Sequence, residues 1–396
     1  MSQRPLSFRA AALCLCAAAS QAHALDANGP AWLSPECLTF SGSYGDHVGS
    51  DRALAYDHHG NPGIAFFEDV GDNLCYARRV PGVGWTYSLV DSTGYMGKYP
   101  ALAYDRYERP AISYQDSSLG YLRFAYFNGS SWVVQTVDGA ASVGAYSSLA
   151  FDVYGYAAIA YFDATNTSLK YVRDADGDMS FSDETPVTVI NSFSEGYYAS
   201  LAFDPLNRPM IAHKDVTNSA VRYSVYEPGI GWVTTTVATA GDAGDQPSLA
   251  INPTTGFPAI SFGWDSNLAY AEWNGSEWDI AILDTQGVVG DFSSLAFDPA
   301  DGNPAISYYD QTEYRLKFAW YDGVAWHTQQ VANAGLGGLS TSLAFNDYGT
   351  GWPSIMYFDT GGGLYFIEDP PDVPEPACLL PLALGAAALR RRRRAA

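Results

Sequence analysis

The sequence predicts an all-β protein: a seven-bladed β-propeller with four-stranded blades, its ring closed by an N-terminal strand that completes the last blade. Three observations predict it. A unit built on Ser-Leu-Ala-Phe-Asp recurs seven times, with its leucine at Leu54, Leu102, Leu149, Leu201, Leu249, Leu295 and Leu343. The spacings of 46 to 52 residues suit one propeller blade per repeat. Each unit holds four short runs rich in aromatic and β-branched residues, and no helical period lies between them. In the sixth unit the runs are Ser294–Phe297, Ala305–Tyr309, Leu316–Trp320 and Trp326–Val331.

The elements of the repeat each have a physical reading. The residue after the leucine is always alanine, from Ala55 to Ala344, so the innermost strands can crowd the axis. Asp or Asn then opens a turn (Asp57, Asp105, Asp152, Asp204, Asn252, Asp298, Asn346), capping it with its own side chain. Proline often begins the second strand, as at Pro110 and Pro304. Asn128-Gly129 and Asn274-Gly275 mark hairpins between the third and fourth strands. An acidic residue closes the second strand: Glu68 or Asp69, Asp116, Asp163, Asp215, Asp265, Asp310 and Asp359. Seven copies read as turn caps rather than a catalytic ring. A glycine stands five residues before each leucine, from Gly49 to Gly338, where the backbone needs positive φ. The seventh unit lacks a Trp-containing fourth strand, and Asn28-Gly29-Pro30-Ala31-Trp32 matches Asn274-Gly275-Ser276-Glu277-Trp278. The N-terminal segment therefore supplies the missing strand and removes an open sheet edge.

The two ends carry address information. Arg4 and Arg9, the apolar stretch Ala10–Ala19 and the small-x-small site Ala22-His23-Ala24 form a secretory signal over 1–24. The propeller then occupies 25–369, and 370–376 form a linker. That linker ends in Pro374-Glu375-Pro376, followed by the apolar run Ala377–Leu389 and by Arg390, Arg391, Arg392, Arg393 and Arg394. The apolar run is short for a bilayer-spanning helix, and the arginines favour the cytoplasmic side. This tripartite end resembles the PEP-CTERM sorting signal of Gram-negative bacteria. The resemblance implies recognition by an exosortase, transient membrane contact through the tail, export across the inner membrane, and a final place at the cell surface or in the extracellular matrix. The repeats resemble those of secreted bacterial propellers and, more loosely, sialidase-like Asp-box propellers, over roughly residues 28–369. That second resemblance implies a fold and not an activity.

Without signal and tail, 14 basic residues face 43 acidic ones, a net charge near −29. Such a field repels nucleic acid and suits divalent cations or neutral and basic ligands. Cys37 and Cys75 are the cysteines outside the signal and tail. In an oxidising compartment they are candidates for a disulfide across the ring's seam.

A ligand site belongs where blades differ. The residues after the recurrent glycine vary and ring one axial opening: Asp51, Arg52, Lys98, Tyr99, Tyr146, Tyr197, Tyr198, Asp245, Gln246, Asp291 and Phe292. Aromatic faces stack on sugar rings and carboxylates hold hydroxyls, so this mouth is a candidate glycan site. Asp174, Asp176 and Asp178 form an acidic hairpin with alternate carboxylates that suit calcium, although the EF-hand order fails. Zinc-protease, nucleophile-elbow and phosphate-loop motifs are absent from the sequence. Arg106, Arg109 and Arg208 fall in turns of the opposite face, so the arginine cluster that the sialidase resemblance implies is not assembled. Function is therefore expected to be non-enzymatic binding of a glycan or other extracellular polymer. The alternatives are a glycan hydrolase or lyase and a protein-interaction scaffold.

Overall fold

A computed structural model describes residues 25, 27–38, 53–68, 71–192, 194–239, 241–331, 337–347, 351–359 and 363–369. These form seven four-stranded antiparallel sheets and no helix. The protein is a seven-bladed β-propeller. Six blades are continuous in sequence: blade 2, for example, comprises Met96–Tyr104, Pro110–Asp116, Tyr121–Phe127 and Trp132–Asp138. Blade 7 takes Gly337–Phe345, Pro353–Asp359 and Leu364–Glu368 from the C-terminal side and Glu36–Cys37 from the N-terminal side. Glu36 pairs with Phe366 and Cys37 with Tyr365. Amides of Leu33 and Leu38 donate to carbonyls of Glu368 and Leu364 at 3.0 and 2.8 Å, so the ring is closed as expected.

Three repeated contacts join the blades, and each explains a residue of the repeat. The serine before the key leucine accepts a hydrogen bond from the leucine amide of the next blade. The bonds from Leu201, Leu249, Leu295 and Leu343 to Ser148, Ser200, Ser248 and Ser294 measure 2.9–3.0 Å, and Leu54 to Ser342 measures 3.1 Å. In blades 1 and 2 the serine is replaced by Ala53 and Ala101. The fourth-strand tryptophan packs on an aromatic ring of the preceding blade's third strand. Trp85, Trp132, Trp232, Trp278 and Trp326 lie 5.0–5.3 Å from Phe366, Tyr76, Tyr171, Tyr223 and Tyr270. Trp32 does the same on Phe318 at 5.1 Å, so the sequence match to Trp278 holds in space. Blade 3 lacks the tryptophan, and Phe181 substitutes for it against Phe124 at 5.1 Å. Such edge-to-face pairs add to plain area burial.

The third contact is polar. Hydroxyls of Tyr114, Tyr161 and Tyr308 donate to Asp91, Asp138 and Asp284 of the preceding blade at 2.6–2.7 Å. Arg123, Lys170 and Lys317 pair with the same carboxylates. These cations are thus scaffold, as their recurrence at one position implies. The carboxyls of Asp91, Asp138 and Asp284 are held below the usual range: hydrogen bonds and the neighbouring cation outweigh the burial that opposes ionisation.

The expected Cys37–Cys75 bridge is not formed. Cys37 is exposed on the outer strand of blade 7, whereas Cys75 packs in the interface cluster around Phe66 and Phe366. Burial pushes the Cys75 thiol up to about 12, which keeps it protonated and unreactive. The seam is held otherwise. Arg79 pairs with Glu36 at 3.1 Å and Glu368 at 2.6 Å, and Trp85 Nε1 donates to Glu36 at 2.8 Å.

Strand one begins earlier than the sequence pattern suggests. In blade 6 it starts at Val289 rather than Ser294, because the glycine and its followers belong to the ladder through two register shifts, at Val289/Asp291 and Asp291/Ser294. A β-bulge of this kind re-aims side chains, and it builds the site below.

Candidate functional site: the axial mouth

The recurrent glycines have φ of 84–121° at Gly97, Gly144, Gly196, Gly244, Gly290 and Gly338. Packing imposes a second requirement. A Cβ on Gly144 or Gly196 would sit 2.8 Å from the Cα of Leu122 or Leu169 in the neighbouring blade. Two residues on, six non-glycine residues also lie in the left-handed region: Tyr99, Tyr146, Tyr198, Gln246, Phe292 and Ser340, with φ of 48–54°. Left-handed bulky residues are uncommon and persist only where surroundings hold them. Here the next blade holds three of them. The hydroxyls of Ser147, Ser293 and Thr341 donate to carbonyls of Tyr99, Gln246 and Phe292 at 2.8–3.3 Å. The strained residues circle the axis on the face formed by the loops from strand four to the next strand one. Loops between strands two and three share that face, as Ala164 N to Ser142 O and Gln311 N to Val288 O show.

The mouth has two halves. On blades 2 to 4, Tyr146 is the hub of an aromatic wall, with Tyr99, Tyr198 and Tyr197 at 4.4, 4.5 and 5.7 Å and Phe162 at 4.1 Å from Tyr197. Burial, reinforced by the neighbouring Tyr146, pushes the Tyr99 and Tyr198 hydroxyls well above the ordinary phenol range. They stay protonated donors. On blades 4 to 6, Lys214 Nζ bonds to Asp245 and, at 3.3 Å, to Asp242. Burial first, then the Asp245 charge, raises the Asp291 carboxyl, and Lys214 opposes them. Gln246 Oε1 accepts from the Phe292 amide. A pocket of about 320 Å³ beside this half is lined by Asp242, Asp245, Asp265, Asp291 and Gln311.

The structure thus brings together Tyr99, Tyr146, Tyr197 and Tyr198, and separately Asp245, Gln246, Asp291 and Phe292. Lys98 is turned aside, its Nζ 4.9 Å from the Tyr95 ring. Asp51 and Arg52 lie outside the described residues, as do Pro374, Glu375, Pro376 and Arg390–Arg394. Sequence reasoning missed Lys214, Phe162 and Asp242. The first two precede the strand-two acid, a position that also varies between blades (Gln115, Lys214, Gly263, Tyr309). That variability is the signal that could have found them.

Other candidates resolve differently. The strand-two acids cap local turns: Asp116 accepts from Ser118 and Leu119 amides and Asp310 from Thr312 and Glu313 amides at 2.9–3.1 Å. Blade 5 is the exception. Trp264 occupies the ladder position, and Asp265 falls one residue later, accepting from the Asp242 amide at 2.9 Å. The oxygens of Asp174, Asp176 and Asp178 approach within 4.8 Å of one another. Yet Asp174 is buried and caps its own loop, accepting from amides of Gly177 and Met179 at 2.7 and 2.9 Å. Asp176 and Asp178 are exposed beside it. His213 Nε2 lies 3.1 Å from Ser224 Oγ, and its Nδ1 3.9 Å from Glu195. All three are buried in blade 4.

At the opposite end, the alanines and leucines of the innermost strands line an axial cavity of about 560 Å³, together with Ser248, Asp347, Tyr56, Tyr104, Phe297 and Phe345. Fold and geometry together define a seven-bladed propeller with an aromatic and charged mouth at one axial end and an alanine- and leucine-lined cavity at the other. Its structural neighbours share the fold. The BP39L lectin from Burkholderia pseudomallei superposes with a TM-score of 0.63 at 11% identity, covering 81% of this chain and 95% of the lectin. A PL25 ulvan lyase, solved bound to -[GlcA(1-4)Rha3S]-, gives 0.59 at 13% identity, covering 84% and 95%. No protein-family model and no curated sequence matches the chain.

Proposed function

We propose that this is an exported propeller that binds a glycan or a related extracellular polymer at the Tyr99–Tyr146–Tyr198 mouth. The observation that carries the reading is the mouth itself. Half-buried tyrosines fixed in left-handed backbone form a wall beside Lys214, Asp245 and Asp291. Pre-organised aromatic surface next to a few placed polar groups is the make-up of a saccharide-sized site. The names of the lectin and polysaccharide lyase above support a saccharide ligand by analogy of fold. Export, exosortase processing of the tail, and surface or matrix residence are proposed on the sequence of the two ends.

The test is binding of the purified protein to a panel of extracellular polysaccharides. At least one binds, and Tyr146→Ala with Tyr198→Ala loses it. No binding by the wild type, or binding unchanged in the double variant, contradicts the assignment. A glycan hydrolase or lyase is the second reading, favoured by the raised Asp291 carboxyl beside Asp245, since paired carboxyls in unlike environments divide acid and base roles. It requires turnover of the bound polymer that Asp291→Asn abolishes. Capture of a protein partner by wild type and mouth variant alike, with indifference to glycans, would favour the interaction scaffold.

A further inference from the structure

The face opposite the mouth is formed by the turns from strand one to two and the hairpins from strand three to four. Among the described residues, the seven most exposed large apolar side chains all lie on it: Val324, Ile230, Leu206, Val83, Tyr107, Val153 and Tyr154, 60–85% accessible. In the loops of the mouth side the highest values are 57% for Leu119 and 53% for Tyr314, and Leu89 on the outer strand of blade 1 reaches 58%. The exposed side chains sit singly at tips around the ring, not as one contiguous patch. Isolated protruding tips suit a soft apolar medium better than a flat protein interface, which needs a desolvated centre. The axial cavity lined by the innermost alanines and leucines opens on the same face.

Both ends of the described chain reach this face. The Leu25 amide donates to Asp298 in the first turn of blade 6 at 3.2 Å. The Asp369 amide donates at 3.1 Å to the carbonyl of Pro353, which begins strand two of blade 7. Seven residues separate Asp369 from the apolar run Ala377–Leu389, and they reach at most about 25 Å.

We infer that this face lies against a lipid bilayer, its tips in the interface, with the glycan mouth turned away. The occupant is a membrane of electroneutral headgroups. A net charge near −29 without signal and tail disfavours an anionic surface, and equally disfavours a second copy stacked face to face.

Hydrogen exchange of the full chain, with and without phosphatidylcholine vesicles, tests this. Vesicles slow exchange in peptides covering the 81–84, 105–109, 152–156, 204–208, 228–231 and 322–325 turns, and leave 94–99, 142–146 and 194–198 unchanged. Leu206→Ser with Ile230→Ser and Val324→Ser removes the slowing while the protein still floats with vesicles through its tail. Adding anionic phosphatidylglycerol weakens the protection. Flotation without protection of these turns, protection of the mouth instead, or no association at all overturns the inference. So does concentration-dependent protection without lipid, which would mean self-association. None of these results depends on whether the mouth binds a glycan.

Discussion

At the scale of single residues, the site rests on backbone that most side chains avoid. Gly144→Ala asks a methyl group to adopt φ of 84° and to overlap Leu122. It should cost about 2 kcal/mol or more, read as a lower denaturant midpoint. Asp291 offers a pH test. Its native carboxyl is raised, so the folded state holds a proton that the unfolded state releases. The associated stability is present below the unfolded carboxylate pKa and is lost as pH rises through the native value. Asp291→Asn should therefore raise the melting temperature at pH 7 relative to wild type, with the gain vanishing near pH 3. His213 runs the other way. Burial, then Arg222, pushes it from 6.5 down to about 3, so its contribution is present above 6.5 and lost as pH falls towards 3. Urea unfolding of His213→Phe between pH 4.5 and 7.5 should show a flatter acid limb than wild type. An equally steep limb would mean that His213 does not titrate as its burial implies. The mouth tyrosines were legible in the sequence because they vary at a fixed offset from an invariant glycine. Their left-handed backbone was not, since tyrosine carries no sign of positive φ. Lys214 stayed hidden because it sits inside a strand that otherwise reads as scaffold.

At the scale of elements, recurrent contacts tie neighbouring blades: a serine at five interfaces, a tryptophan in every blade but the third, and a tyrosine–aspartate bond at three. Ser248→Ala leaves the buried Leu295 amide without its acceptor and should cost about 1–2 kcal/mol. The reverse change is more discriminating. Ala101→Ser places a hydroxyl where blades 3 to 7 carry one for the following leucine, and should stabilise by about 1 kcal/mol. Equilibrium unfolding checks both, and a destabilising Ala101→Ser would show that the serine ladder is not the inter-blade tie described. Trp32→Ala removes the closing contact on Phe318 and should cost about 3 kcal/mol. Strand number and order were readable because period and turn chemistry agree. Strand-one starts were not, since bulges keep residues in a ladder after alternation fails. The Cys37–Cys75 pairing was suggested by composition and by ring closure; both residues lie on the strands that closure implies, but they are not bonded to each other.

At the scale of the whole molecule, the N-terminal strand closes the ring in blade 7, and the two axial faces differ in character. One is polar, aromatic and braced by hydrogen bonds. The other is tipped with apolar side chains and sends out both chain ends. The repeat period made this plan legible, whereas the contrast between faces needed coordinates, because exposure at a turn tip cannot be read from a strand pattern. A crystal structure of the protein with the oligosaccharide it binds best tests the central claim most directly. The account predicts a sugar ring against Tyr146 and Tyr198, with hydroxyls towards Asp245 or Asp291. Sugar seated only between blades at the outer rim, with the mouth open to solvent, would contradict it.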